Sequence, residues 1–342
     1  MTILKQSYDF LQEKILPQVA KRHRKLFRFG FEALTIRPFV SLNGNSRVTV
    51  ENRATAQSKI YRLVTQQKIL SYFPQLVTGL GLVTEKEMVN VDFSTFGGFQ
   101  VLTFAKQTQL GRALPLYFNT ITYPIESEGS QTIFIEKTIK EFIALLGFTP
   151  HLVFDRGFES SYLVPFLVKE RIPFIIRFKK DKHILYNLKE IPMRNLPWFE
   201  KDCVVEVYEN IRLRVVVSEK RSERTDSEEK EEPWYLITND YKAPKEEIIS
   251  KYYFRFEIEE TFKDLKHINE LASFYRIKKE QTFKILLWFC MLAIWLSFLI
   301  LGTRDYLVKR IREKRCKMLS VTRYLQESIQ LELFSFYKAH FF

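Results

Sequence analysis

Tyr252, Arg255, Glu259 and Lys266 follow one another at intervals of three, four and seven residues. At about 100° per residue, a helix brings all four onto a stripe about 60° wide and turns Phe254, Ile258 and Leu265 to the opposite side. A carboxylate on such a stripe can ligate a hard cation. Arg255 and Lys266 can neutralise phosphates, and Tyr252 can donate a hydrogen bond to one. On periodicity alone the pattern also describes a solvated amphipathic helix, and both readings stand.

The elements that must position these groups follow from hydrophobic period and turn signals. Residues 244–271 read as one long helix carrying the stripe, followed by an apolar helix over 280–301. Upstream, Met88–Phe93, Phe99–Lys106 and Ala113–Thr122 are short apolar runs separated by Gly97-Gly98 and Gly111, a three-stranded meander. Thr132–Leu146 reads as a helix with Ile135, Ile139, Phe142 and Ile143 on one face and Gly147 as its stop. His151–Asp155 and Pro173–Phe178 read as strands with a helix over 159–171 between them. The order β-β-β-α-β-α-β argues for a mixed sheet covered by helices. Residues 182–240 interrupt it with strands at Ile184–Leu188, Cys203–Tyr208, Arg212–Val217 and Trp234–Thr238, and with a charged, exposed loop at Glu219–Glu232. Residues 3–36 and 54–78 read as helices.

Composition narrows the function class. A chain of 342 residues with 31 Phe, 16 Tyr and 4 Trp can bury a large core, which excludes disorder. Three scattered cysteines build neither a disulfide framework nor a zinc site and fit a reducing cytosol, and the five histidines show no ligand spacing. No glycine loop for cradling nucleotide phosphates is present in the sequence. The opening MTILKQSYDFLQEK mixes both charges without an apolar core, unlike a secretory signal.

The net charge of +13 is concentrated at the two ends of the chain: 13 basic against 4 acidic residues over 1–80, and 18 against 12 over 244–342. Such asymmetry suggests a polyanionic partner, although a merely soluble basic surface fits the same totals. Arg22, Arg24 and Lys25 sit in the densest cluster, which can lie along a phosphate backbone or simply face solvent. Ile285–Leu301 is 17 residues without a charge, just short of a membrane span, and reads as a buried core helix with a membrane span as its rival.

Tyr252-x2-Arg255-x3-Glu259-x6-Lys266 resembles the Y-R-E-K signature of a large group of DDE-type insertion-sequence transposases. Val91-Asp92-Phe93-Ser94-Thr95 resembles their first-Asp strand, and Leu152-Val153-Phe154-Asp155-Arg156-Gly157-Phe158 their second. Gly111-Arg112-Ala113-Leu114-Pro115-Leu116 is similar to the turn between them, so the resemblance spans roughly residues 86–300.

The resemblance implies an α/β fold: a ribonuclease-H-like mixed sheet flanked by helices, over residues 81–302, with a β-rich insertion at about 180–240. A helical basic DNA-binding region over 1–80 and a basic helical tail over 303–342 complete the expected organisation. Asp92, Asp155 and Glu259 become the expected catalytic acids and ligands of a two-ion Mg²⁺ site, with Mn²⁺ able to substitute. Phosphodiester transfer needs hard cations, and carboxylate oxygens bind them. Tyr252, Arg255 and Lys266, together with Arg22, Arg24 and Lys25, are expected to hold double-stranded DNA, at transposon ends and target. A homodimer on DNA, a bacterial cytoplasmic location at the nucleoid and no membrane partner complete the expectation. Trp198 and Trp234 in the insertion read as core residues, with base stacking as their functional alternative. The rival function is a non-catalytic DNA-binding relative.

Overall fold

The computed structural model describes residues 3–36, 53–123, 130–197, 202–208, 210–218, 233–267 and 277–301. The segment Glu219–Glu232, Trp198 and the tail from 302 onwards lie outside the described residues.

Short apolar runs, buried almost continuously in the central strands, draw the chain into one ten-stranded sheet. Strands β1 (Met88–Phe96), β2 (Phe99–Lys106) and β3 (Leu114–Thr122) form the antiparallel meander that the apolar runs predict. Gly97 takes φ 59° in the two-residue turn that pairs Phe96 with Phe99, a conformation glycine adopts without steric cost. Strands β4 (His151–Phe154) and β5 (Phe174–Phe178) then run parallel to β1 in turn. Their crossovers carry helices, as parallel pairing requires. The first five strands therefore lie in the order β3-β2-β1-β4-β5, within a mixed α/β architecture flanked by helices.

The inserted strands do not make a separate layer. They are β6 (His183–Tyr186), β7 (Lys189–Pro192), β8 (Asp202–Val207), β9 (Ile211–Val217) and β10 (Tyr235–Thr238). β10 pairs antiparallel with β5, and the sheet continues through β9, β8, β6 and β7. Four of these strands fall close to the predicted runs. β7 was not predicted, because Lys189-Glu190-Ile191-Pro192 carries almost no apolar pattern; as an edge strand it needs none.

Among the helices, the first 80 residues fold less regularly than predicted. α1 (Ile3–Phe10) and α2 (Arg24–Gly30) are separated by π and 3₁₀ turns, and the predicted second helix divides into α3 (Arg53–Thr65), α4 (Gln67–Leu70) and α5 (Tyr72–Gly79). Gln66 interrupts the latter with an extended ψ of 92°. α6 (Ser130–Leu146) ends as predicted: Gly147 adopts φ 75° and its amide returns to the Ile143 carbonyl at 3.0 Å. α7 (Leu163–Lys169) is shorter than its predicted range. The predicted 244–271 helix is two helices, α8 (Lys245–Tyr253) and α9 (Glu257–His267), joined by a 3₁₀ turn at Phe254–Phe256.

α10 (Glu280–Leu301) is the central apolar rod. It is long and apolar enough to cross a membrane, yet 83% of its most apolar window is buried inside the fold. Phe27, Phe73 and Phe289 meet at ring separations of 5.1–5.4 Å, Phe73 stacks on Trp288, and the Trp295 indole donates to the Pro115 carbonyl. One hydrophobic cluster thus joins the N-terminal helices, the sheet and α10.

Candidate active site

Parallel pairing of β1 with β4 places the two candidate aspartates side by side. The last paired residues are Val91 and Phe154, so Asp92 and Asp155 are the next residue on each of two adjacent strands. Asp92 accepts from the Phe93 amide at 2.8 Å. Asp155 caps the following 3₁₀ turn by accepting from the Arg156 amide at 2.6 Å. Phe93, the next residue of β1, stacks on Phe158 of the turn after β4 at 5.5 Å, which ties the ends of the two strands together.

Glu259 projects from the first turn of α9, where the helix dipole favours an acid. Arg255, one turn earlier, joins the three carboxylates. Its guanidinium donates to Glu259 at 2.5 Å and lies 3.5 Å from Asp92. Burial opposes its charge, but Tyr252, Asp155, Glu259 and Asp92 together hold it protonated well beyond the ordinary arginine range. Burial pushes the Asp92 carboxyl up to about 7, and Asp155 and Glu259 add to that rise while Arg255 and the Phe93 amide resist it. Acids 63 and 104 residues apart in sequence thereby share one electrostatic site.

The donor set suits a hard divalent cation: carboxylate oxygens crowded enough to repel one another. Among the described residues, however, no three His, Cys, Asp or Glu side chains are gathered to grip one ion. The physical reason is visible in Arg255, which holds Glu259 in its own ion pair.

Tyr252 departs from the predicted exposed stripe. The 3₁₀ turn changes the angular step between Tyr252 and Glu259, and Tyr252 is buried against Trp234, Val216 and Ile248. Burial raises its phenol to about 12, with Asp155 adding and Arg255 opposing. Its buried hydroxyl makes no well-aligned hydrogen bond among the described residues and has the Arg255 guanidinium as its polar neighbour, while Nη1 of Arg255 meets only the Asp92 carboxylate, at 3.5 Å. Such unsatisfied groups are uncommon and point to a ligand or a strained role. Lys266 lies about two turns beyond Glu259 with its ammonium 5.2 Å from the Phe96 ring centroid, and burial lowers its pKa. Trp234 is a core residue. Arg22, Arg24 and Lys25 are exposed, around a buried His23.

Several positioning residues escaped the sequence reading. Asn90, buried in β1, donates to the Phe254 and Arg255 carbonyls at 3.0 and 3.3 Å, fixing the turn that aims Arg255. Gln107 bridges Asn90 to the Lys251 carbonyl. Glu257 accepts from the Thr108 and Gly111 amides, both at 2.8 Å, and Arg112 pairs with Asp264 at 3.0 Å. The signals were a lone Asn in an apolar strand and the Gly111-Arg112 turn, which clamps the start of α9.

Residues 126–296 match the sequence model described as "Transposase DDE domain", half of the chain. The chain belongs to this transposase family. The matched range contains Asp155 and Glu259, while Asp92 precedes it.

No curated protein sequence matches the chain. Among solved structures, a piggyBac transposase synaptic complex with hairpin DNA aligns with 98% of this chain and 67% of its own, at 11% identity and a TM-score of 0.43. Marinitoga piezophila Argonaute in complex with a 5′-OH guide RNA aligns with 82% of this chain and 52% of its own, at 9% identity and a TM-score of 0.28.

Proposed function

We propose that this transposase cuts DNA strands at the ends of an insertion sequence and joins the freed ends to target DNA, by cut-and-paste. The carrying observation is the convergence of Asp92, Asp155 and Glu259 on one buried guanidinium, Arg255. Acids from distant parts of the chain gather at the ends of two interior strands, where they repel one another, and a site that concentrates negative charge in this way suits a bound cation.

Asp92 and Asp155, with Glu259 once released from Arg255, would hold Mg²⁺, with Mn²⁺ as a substitute. When bound, the ions supply charge stabilisation of the attacking and leaving oxygens. The chain's own groups do the positioning. Tyr252, Arg255, Glu259 and Lys266 act as a Y-R-E-K set: the Tyr252 hydroxyl and the Arg255 guanidinium donate to phosphate oxygens of the DNA end. Lys266, Arg22, Arg24 and Lys25 add further phosphate contacts to double-stranded DNA. Two ends held together call for a homodimer on DNA, in the bacterial cytoplasm at the nucleoid.

The test uses purified protein with a DNA fragment carrying the element end. Asp92→Ala, Asp155→Ala and Glu259→Ala should each abolish Mg²⁺-dependent cleavage and leave end binding within about threefold of wild type, because carboxylates contribute little to phosphate contacts. Persisting cleavage in one variant removes that residue from the site. Wild-type end binding with no cleavage in Mg²⁺ or Mn²⁺ assigns the chain to the non-catalytic rival.

A further inference from the structure

The turn that carries Asp155 is tied to the inserted strands through one buried acid. Glu159 ends the 3₁₀ turn that Asp155 caps. The Phe158 amide returns to the Asp155 carbonyl at 3.1 Å and the Glu159 amide to the Arg156 carbonyl at 3.3 Å, so the two acids share one turn without slack. The Glu159 side chain is only 5% exposed. It accepts from the Tyr208 hydroxyl at 2.5 Å and pairs with Lys182 at 3.1 Å, while the Lys182 ammonium stands 4.3 Å from the Tyr208 ring centroid. Three segments therefore meet on this carboxylate: the turn after β4, the turn after β5 and the connection between β8 and β9.

Both partners are themselves held. The Lys182 amide donates to the Lys179 carbonyl at 3.1 Å, and the Lys182 carbonyl accepts from the Met193 amide at 2.8 Å. The Tyr208 ring packs against Phe178, with centroids 6.1 Å apart, and its backbone takes φ 44°. That left-handed conformation is strained for a bulky residue and persists where the surroundings over-determine it. β8 stands four places from β4 in the sheet, so no strand pairing brings Tyr208 to this turn. Burying a carboxylate is costly, and an apolar side chain of similar size would serve packing as well. What the charged group adds is a fixed geometry.

We propose that Glu159 is a positioning residue for Asp155: held by Tyr208 and Lys182, it fixes the turn after β4 and makes the inserted strands a brace for that acid. The proposal rests on the transposase reading and goes beyond it, because Glu159 lies outside the three acids that would meet metal. A reacting group displaced by about 1 Å can slow a reaction about 100-fold, which sets the leverage of such a brace.

Three measurements test it together: single-turnover cleavage of an element-end fragment, end binding by anisotropy, and amide hydrogen exchange of the free protein over residues 155–162. Glu159→Ala should slow cleavage about ten- to hundredfold, speed exchange of the 156–158 amides about tenfold and leave end binding within about twofold. Glu159→Gln keeps an acceptor for the Tyr208 hydroxyl and should return cleavage and exchange to within about threefold of wild type. Tyr208→Phe keeps the ring against Lys182 and Phe178 and removes only the hydroxyl. It should slow cleavage about three- to tenfold alone and add nothing to Glu159→Ala, and it carries the test even where Glu159→Ala does not fold. Wild-type cleavage or wild-type exchange in both Glu159→Ala and Tyr208→Phe overturns the brace. A Glu159→Gln variant as impaired as Glu159→Ala also overturns it, by removing the Tyr208 bond from the account. Exchange needs neither DNA nor metal, which separates the two readings: a wild-type protein that cleaves no end overturns the transposase reading, whereas unaltered exchange overturns the brace by itself.

Discussion

Tyr252 carries a hydroxyl that makes no well-aligned hydrogen bond in the free protein, with only the Arg255 guanidinium beside it, which separates folding from function at one atom. Removing an unsatisfied buried group is neutral or favourable for folding, whereas losing a donor to a phosphate weakens binding. Tyr252→Phe should therefore leave the urea midpoint unchanged or slightly raised, yet weaken binding to an element end by about five- to tenfold. A lowered midpoint with intact DNA binding would show that the hydroxyl serves the core alone. His23 makes a second residue-scale case. It is buried, 2.6 Å from the Tyr72 hydroxyl through Nδ1 and 3.2 Å from the Gln66 amide nitrogen through Nε2. Burial, with Arg22 and Lys68 nearby, lowers its pKa. A histidine whose pKa falls on folding contributes stability that is fully present above its unfolded value of about 6.5 and is lost as pH drops through the folded value. Denaturation of the wild type should thus show stability falling below about pH 6.5, and His23→Gln should flatten that slope.

At the scale of elements, the decisive feature is the 3₁₀ turn that divides the predicted helix. A continuous helix would set Arg255 and Glu259 on one stripe with Tyr252; the turn buries Tyr252 and leaves Arg255 between Asp92 and Glu259. Two clamps hold the turn: Asn90 on the Phe254 and Arg255 carbonyls, and Glu257 on the amides of the 108–111 loop. Burial raises the Glu257 carboxyl, and the amides of Thr108, Gly111, Gln109 and Leu110 counter it by favouring the charged form. Asn90→Ala should cost about 1–3 kcal/mol, because it removes the buried amide that bonds the Phe254 and Arg255 carbonyls and Gln107, and should slow DNA cleavage although Asn90 is fully buried. Circular dichroism melts paired with single-turnover cleavage would separate the two effects. An unimpaired cleavage rate would show that the turn needs no such anchor.

At the scale of the whole molecule, one hydrophobic cluster runs from the N-terminal helices through the sheet to α10. Phe289 sits at its junction, fully buried and in ring contact with Phe27 and Phe73. Phe289→Ala should cost about 3–5 kcal/mol and destabilise the N-terminal helices and the sheet together, in one transition rather than two. Two separated transitions by near-ultraviolet and far-ultraviolet probes would show that the basic helices fold as an independent unit. The same cluster explains why the apolar helix at 280–301 needs no bilayer: the surface that would face lipid is spent on Phe73, Phe118 and β3.

By itself the sequence determined nine of the ten strands, because short apolar runs separated by turn signals such as Gly97-Gly98 and Gly111 mark where each begins and ends; the edge strand β7 has no such run. Spacing also marked Glu259 on the stripe with Tyr252, Arg255 and Lys266, whereas Asp92 and Asp155 stood out only through the resemblance of their strand segments to those of the transposases. Tertiary structure alone decided that the inserted strands extend the same sheet, that Tyr252 turns inward, and that Arg255 ties the acids together. Those outcomes depend on the Asn90 and Glu257 hydrogen bonds across 164 and 149 residues, respectively, and on burial that shifts charge. Periodicity cannot encode them, because a hydrogen bond between distant residues leaves no repeat in the chain that makes it.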